Sequence, residues 1–430
     1  MRRILAALAV VASGAIGLPY ESDAALNCVT VTRRGLMTPD GLFHGNRFRD
    51  PVSINSAGDV MLVSRPQPSR DHLYLYPSGG PAEIVGAVFA PAPNGGRFTT
   101  NAPFSHFSVS DTDHLAFFGT TTLGPAVFVR ENGGSLETAA TAAQVSPSGG
   151  TFSGFPEVAA INDAAHVAFR ANVSGGAGGI FVYDAVSEVI SPAVLFGDTT
   201  LGGRQICSVR DIRLANTDAI LFTATTQLDC NAVETPVDGI FLDRPGGIET
   251  VVLVGDPSPV LGTSHGAISG PADLNGSEDV VFRTQLVGPI TNGTIFYWDS
   301  ATATTTKVAS IGETTPVGGV YRKFRDVHVD DAGDVLVSAK LLGPASVPFG
   351  LFTFTGVTAT PSLIRSDAPP TDQFTPPSAY LRFAEEFDVA SDGELAMKVR
   401  VKDSAAPRNK IGVIRCGSPS GAFLDGEAFF

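Results

Sequence analysis

The stretch Ile161-Asn162-Asp163-Ala164-Ala165-His166-Val167-Ala168-Phe169 places a polar four-residue centre between two apolar-alternating arms. That arrangement has the two-residue period of a β-hairpin rather than the 3.6-residue period of a helix. The pattern recurs with its turn starting at Asn55, Ser110, Asn162, Ala215, Asn275, Asp330 and Ala390, at spacings of 55, 52, 53, 60, 55 and 60 residues. After each turn comes a Val/Ala/Phe-rich strand, a third strand usually led by Gly, and a fourth ending near Gly-Asp. Third strands such as Gly179-Ile180-Phe181-Val182-Tyr183 and Gly293-Thr294-Ile295-Phe296-Tyr297-Trp298 are continuous apolar runs, which suit strands covered on both faces.

Seven four-stranded units predict an all-β fold, a seven-bladed β-propeller of antiparallel blades, with an open β-solenoid as the alternative. The last unit supplies only Glu386–Val389, Leu395–Val399 and Lys410–Arg415, while Cys28-Val29-Thr30-Val31-Thr32 stands alone before the first repeat. This orphan strand is expected to enter the last blade and close the ring. Asn or Ser at the first turn position and Gly at the fourth suit a type I turn. Ala165 and Glu278, standing where Gly58, Gly333 and Gly393 stand elsewhere, are expected to be strained or to use a different turn.

Composition agrees with a folded, turn-rich chain: 43% of the 430 residues are hydrophobic and 17% charged, with 47 Gly and 30 Pro. Met1-Arg2-Arg3 and the apolar run Ile4–Leu18 read as a signal peptide cleaved near Ala24, so residues 1–24 are assigned to the signal and 25–430 to one propeller domain. No second hydrophobic span follows, and a secreted or periplasmic monomer is expected. A formal net charge of −14 excludes the basic stripe that nucleic acid requires. Four cysteines in an exported chain point to disulfides. Cys207 and Cys230 flank one hairpin, which leaves Cys28 and Cys416 to join the chain ends.

The chain resembles exported bacterial proteins with tandem N-x-x-G-x-x-A-F repeats, read as β-propellers of unassigned function. The resemblance rests on Asn162–Phe169, Asn55–Leu62, Asp330–Val337 and Asn275–Phe282. Such proteins carry a G-D-x-x-P-x-G-like segment between blades. Here Gly255-Asp256-Pro257-Ser258-Pro259-Val260-Leu261-Gly262 is similar, with looser copies at Gly197-Asp198, Gly312–Pro316 and Ser366–Pro369. Many members end in a C-terminal sorting anchor, for which this sequence shows no counterpart. The resemblance implies a fold and an export route and brings no catalytic residues.

In a propeller the first strand of each blade lines the axial channel. Positions one and three residues before each turn are apolar and belong to the core. Positions two and four residues before it are often polar, placing His106, Asp211, Arg213, Asp273, Asp326, His328, Glu386 and Asp388 at the channel as candidate ligand-binding residues. Gathered carboxylates raise one another's pKa or recruit a cation. Asp211, Asp273, Asp326 and Asp388 would suit Ca²⁺, which takes several oxygen ligands. The alternative is pairing with arginines, suggested by Arg210-Asp211 and Arg325-Asp326. No cofactor is required by this reading.

Gly262-Thr263-Ser264-His265-Gly266 formally matches G-x-S-x-G, but prolines precede it and a strand follows, so it reads as an inter-blade loop rather than a nucleophile elbow. Two functions remain. One is a binding or structural scaffold whose inter-blade loop face meets a protein or glycan. The other is an extracellular glycan hydrolase or lyase using channel-mouth carboxylates as acid and base.

Overall fold

The computed structural model describes residues 27–49, 52–67, 70–99, 104–231, 234–289, 291–343, 349–364, 379–402 and 410–417. The expected signal peptide and the Ser366–Pro369 segment lie outside them. All regular structure in these residues is β, arranged as seven antiparallel blades in a ring.

The third blade shows the plan. Its inner strand Thr151–Ile161 turns into His166–Ser174, which pairs with Gly179–Asp184 and then Val189–Leu195. In the first and fifth blades the inner strand is broken in two, as Phe43–Phe48 with Ser53–Ile54, and Ser264–Ile268 with Asp273–Leu274. Ser264 therefore begins a strand rather than lying in a loop, and no helix follows it. His265 is buried there against the Phe296 ring at 4.7 Å.

The orphan strand Asn27–Arg33 pairs with Lys410–Gly417 as the outermost strand of the seventh blade. Cys28 and Cys416 are direct register partners and form a disulfide. A second disulfide joins Cys207 to Cys230. Two disulfides fit an oxidising extracellular or periplasmic environment. Among the described residues no helix is long and apolar enough to cross a membrane.

All seven turns have one geometry. The N–H of the fourth residue donates to the carbonyl of the first, as from Ala165 to Asn162 at 3.1 Å, and the first N–H returns to the carbonyl after the turn, as from Asn162 to His166 at 3.2 Å. This is a type I turn followed by a left-handed residue, a three-residue hairpin connection. The fourth residue has positive φ in every repeat, at 61° for Ala165 and 66° for Glu278 as at 78° for Gly58. The ladder on either side thus holds even β-carbon-bearing residues in the left-handed region, at a local cost of about 1–2 kcal/mol.

Seven positions after each turn start stands the residue that centres the blade. Phe117, Phe169, Phe222 and Phe282 stack on their register partners Phe128, Phe181, Phe241 and Phe296. All eight rings are fully buried. Blades then pack face to face, giving seven apolar clusters that each span two neighbours. One joins Ile54, Leu62 and Tyr74 of the first blade to Ala390, Ala396 and Val413 of the seventh, so the ring closes by packing as well as by strand exchange.

The G-D segments between blades are small hairpins. Gly255 N–H donates to the His265 carbonyl at 2.7 Å and His265 N–H to the Asp256 carbonyl at 2.8 Å. The Asp256 carboxylate accepts the Leu253 N–H at 2.9 Å, as Asp198 does from Leu195 at 2.7 Å and Glu313 from Ser310 at 2.8 Å. Each acid thus ties the end of one blade's outer strand to the start of the next blade's inner strand.

Candidate functional site

An inner strand exposes one backbone edge to the axis, and its N–H groups need acceptors. In three blades the residue two before the turn supplies one across the blade boundary. Ser53 Oγ accepts the Val109 N–H of the next blade at 3.3 Å, Asp273 Oδ2 the Val329 N–H at 3.1 Å, and Asp388 Oδ2 the Ile54 N–H at 3.0 Å. Two residues further back, Asp326 Oδ2 accepts the Phe387 N–H at 3.2 Å. At these four positions the polar side chain therefore serves the ring itself, whereas Ala160 and Arg213 offer no acceptor two before their turns.

The turns add a second row of stitches. Asn162 Oδ1 accepts N–H bonds from Ala164 and His166 in its own turn, while its Nδ2 donates to the Ala215 carbonyl at 3.2 Å and to Asp218 Oδ1 at 2.8 Å in the next blade. Asn55 and Asn275 do the same toward the carbonyls of Ser110 and Asp330. Asp111 reaches furthest, taking the Ser56 N–H of the first blade and the Ser391 hydroxyl of the seventh, each at 2.6 Å.

Inside these stitches the channel holds a cavity of about 640 Å³ lined from all seven blades. The layer two residues before the turns is small and neutral over the first three blades, Ser53, Ser108 and Ala160, and charged over the last four, Arg213, Asp273, His328 and Asp388. His328 is sandwiched between carboxylates, with Nδ1 3.2 Å from Asp273 Oδ2 and Nε2 3.3 Å from Asp326 Oδ2, and its ring meets Phe387 edge-on at 4.7 Å. Arg213 Nε donates to Asp273 Oδ1 at 3.2 Å.

The electrostatics follow from these contacts. Burial alone would strip His328 of its charge, but the flanking carboxylates outweigh it and hold the imidazole well above its usual pKa. Burial likewise opposes the Asp273 charge, yet His328, Arg213 and the Val329 N–H hold that carboxyl down at about 2. Asp388 lies off this pairing, and burial pushes it above the usual carboxylate range.

Of the sequence-predicted residues, the structure thus brings Arg213, Asp273, Asp326, His328 and Asp388 together. His106 and Asp211 line the same cavity nearer the inter-blade face, each at a strand bulge with positive φ, 48° and 46°. Glu386 is on the inner strand Ala379–Val389, with its side chain outside the described residues. The Ca²⁺ expectation meets a cluster already engaged by histidine, arginine and backbone donors. Among the described residues no group of three or more His, Cys, Asp or Glu is placed to hold a metal ion. The expected pairing of carboxylates with arginines is found at Arg210, which meets Asp238 at 3.1 Å, and in the cluster at Arg213 with Asp273 at 3.2 Å.

Residues 8–352 match a family of unknown function (DUF7453). The chain belongs to this family. The matched span ends within the sixth blade's third strand, Phe349–Thr355. No curated protein matches the chain. Similar solved structures include an oligogalacturonate lyase from Vibrio parahaemolyticus, at 9% identity and a TM-score of 0.49, covering 93% of this chain and 99% of the lyase. The β-propeller domain of the Trilobed protease from Pyrococcus furiosus aligns at 10% identity and a TM-score of 0.47, covering 85% and 96%. TolB from Acinetobacter baumannii aligns at 12% identity and a TM-score of 0.40, covering 71% of this chain, which spans 64% of TolB. None of these likenesses bears on what the family member does.

Arg283 was not among the sequence-predicted residues. It sits on the fifth blade's second strand, Val280–Val287, yet lines the cavity because the inner strand is interrupted between Ile268 and Asp273. The signal in the sequence is Gly270-Pro271: Pro removes a ladder donor and Gly270 takes a positive φ of 78°.

Proposed function

We propose that the protein is an exported binding scaffold that takes its ligand in the axial channel, entered from the inter-blade face. One observation supports this above others. The cavity receives side chains from every blade, while the charged groups at its centre, Arg213, Asp273, Asp326 and His328, are already held by one another and by backbone N–H groups. They offer a ligand a rigid polar wall rather than a free nucleophile. Export is supported by the signal-like residues 1–24 and by the two disulfides.

The test fills the channel. Ser108 is half-buried on the neutral side of the cavity, and Ser108→Phe would occupy that space. Thermal shifts would be recorded with a defined set of neutral and acidic sugars, amino acids and short peptides. Compounds that stabilise the wild type and not the variant support channel binding. Stabilisation that persists in the filled channel, or none with any compound, contradicts it.

The second reading, a glycan-acting hydrolase or lyase, draws on the opposite displacement of two nearby carboxyls, Asp273 down and Asp388 up, which is the pattern of an acid and base pair. It requires release of reducing ends or unsaturated products from a polysaccharide and loss of that activity in Asp388→Asn.

A further inference from the structure

We infer that the inter-blade mouth of the channel recognises a carboxylate on its ligand, with Arg283 as the anchor and Lys323 beside it. The inference rests on the channel-binding reading and specifies its chemistry.

Arg283 is a built feature. Its Nε donates to the Ser269 carbonyl at 2.8 Å and its Nη1 to the Arg325 carbonyl at 2.7 Å, so two backbone groups from different blades fix the plane of the guanidinium. Gly270 makes room for it, since a β-carbon there would collide with Nη2. Both hydrogen bonds go to neutral carbonyls, and among the described residues Arg283 has no ion-pair partner. Burial works against its charge, Asp326 supports it and Arg325 opposes it. A guanidinium held in place by neutral carbonyls and without an ion-pair partner among the described residues is what a bidentate oxyanion completes.

The surroundings point the same way. Lys323 and Arg325 line the same side of the cavity, on the sixth blade's inner strand Val320–Val329. His106 of the second blade and Asp211 of the fourth line the same cavity. Among the described residues they are the only non-glycine residues within an inner strand at positive φ, a conformation that costs about 1–3 kcal/mol each and clusters at ligand sites. The polar lining around Arg283 suits hydroxyl groups. The ligand class is therefore a hydroxylated organic acid, presented as a free molecule or as the acidic end of a chain.

Glucuronate and glucose differ by the carboxylate and serve as the probes. Titration calorimetry at low salt should give glucuronate about tenfold or greater preference over glucose, the size of a charge-assisted hydrogen-bonded contact. Arg283→Gln should bring the two to parity. Lys323→Gln, at an exposed position that folding does not depend on, should weaken glucuronate alone and flatten its salt dependence. Equal affinity for both sugars overturns the carboxylate assignment while leaving channel binding intact. Undiminished glucuronate preference in a folded Arg283→Gln, or no glucuronate binding to the wild type, also overturns it.

Discussion

Replacing His328 by Gln tests how the channel is held together. His328 is the cation between Asp273 and Asp326, with Arg213 and Asp388 facing the same cluster and Phe387 packed on its ring. Gln leaves two buried carboxylates side by side, and removing one partner of such a set costs about 3–5 kcal/mol. At about 2.1 cal/mol/K of unfolding entropy per residue, a ring of roughly 400 residues would melt about 4–6 °C lower. The cost depends on pH with a definite sign. The folded pKa of His328 is raised, so its stabilisation is complete below the unfolded value of 6.5 and is lost as pH rises through the folded value. Wild-type stability should therefore fall above pH 6.5, by about 1.4 kcal/mol for each pH unit over which only the folded state keeps the proton. Below pH 6.5 buried histidines act in the opposite sense. His44, pushed down to about 4 by burial, His72 and His265 stay neutral in the fold and cost stability as acid protonates the unfolded chain. Stability should peak near pH 6.5. Urea unfolding across pH 5 to about pH 8.5 measures both limbs. A wild-type alkaline limb that is flat, or one that His328→Gln retains, refutes the charged sandwich.

Two further outcomes follow from the stitches between blades. Asn162→Ala removes two bonds within its turn and two to the next blade, leaving the Ala215 carbonyl without that donor. It should cost about 2–4 kcal/mol in urea unfolding, well above the effect of an exposed turn substitution. The two disulfides should differ in weight. Cys28–Cys416 closes a sequence separation of 388 residues and Cys207–Cys230 one of 23, so chain entropy favours the first by about 2–3 kcal/mol. Comparing the melting of Cys28→Ser/Cys416→Ser with Cys207→Ser/Cys230→Ser measures that gap.

Much of this architecture was legible because its causes are local. The turn at Asn162, the apolar residue seven after each start, Phe in four of the repeats, and the alternation of the arms are short-range patterns, and seven copies of them imply the ring. The orphan strand at Cys28 could be placed because a last blade lacking its fourth strand needs one. The polar residues two before each turn were legible as channel-facing, since strand alternation alone decides which side they take. Their role as acceptors for the next blade's backbone was not, because it depends on how two blades dock. Ala165 and Glu278 were expected to be strained at the turn or to use a different one, and the first holds, because the paired strands impose one positive-φ geometry on all seven. Arg283 escaped notice for a related reason. It belongs to a second strand and reaches the axis only through the gap that Gly270 and Pro271 open.

The most direct measurement is the protonation state of His328 itself, read by imidazole ¹⁵N NMR on histidine-labelled protein and assigned by difference with His328→Gln. A buried imidazolium clamped between Asp273 and Asp326 should stay doubly protonated well above pH 6.5, while His44 and His265 are neutral there. A neutral His328 at pH 7, titrating like a free imidazole, would contradict the charged lock. The channel would then hold an available base, as the hydrolase or lyase reading requires.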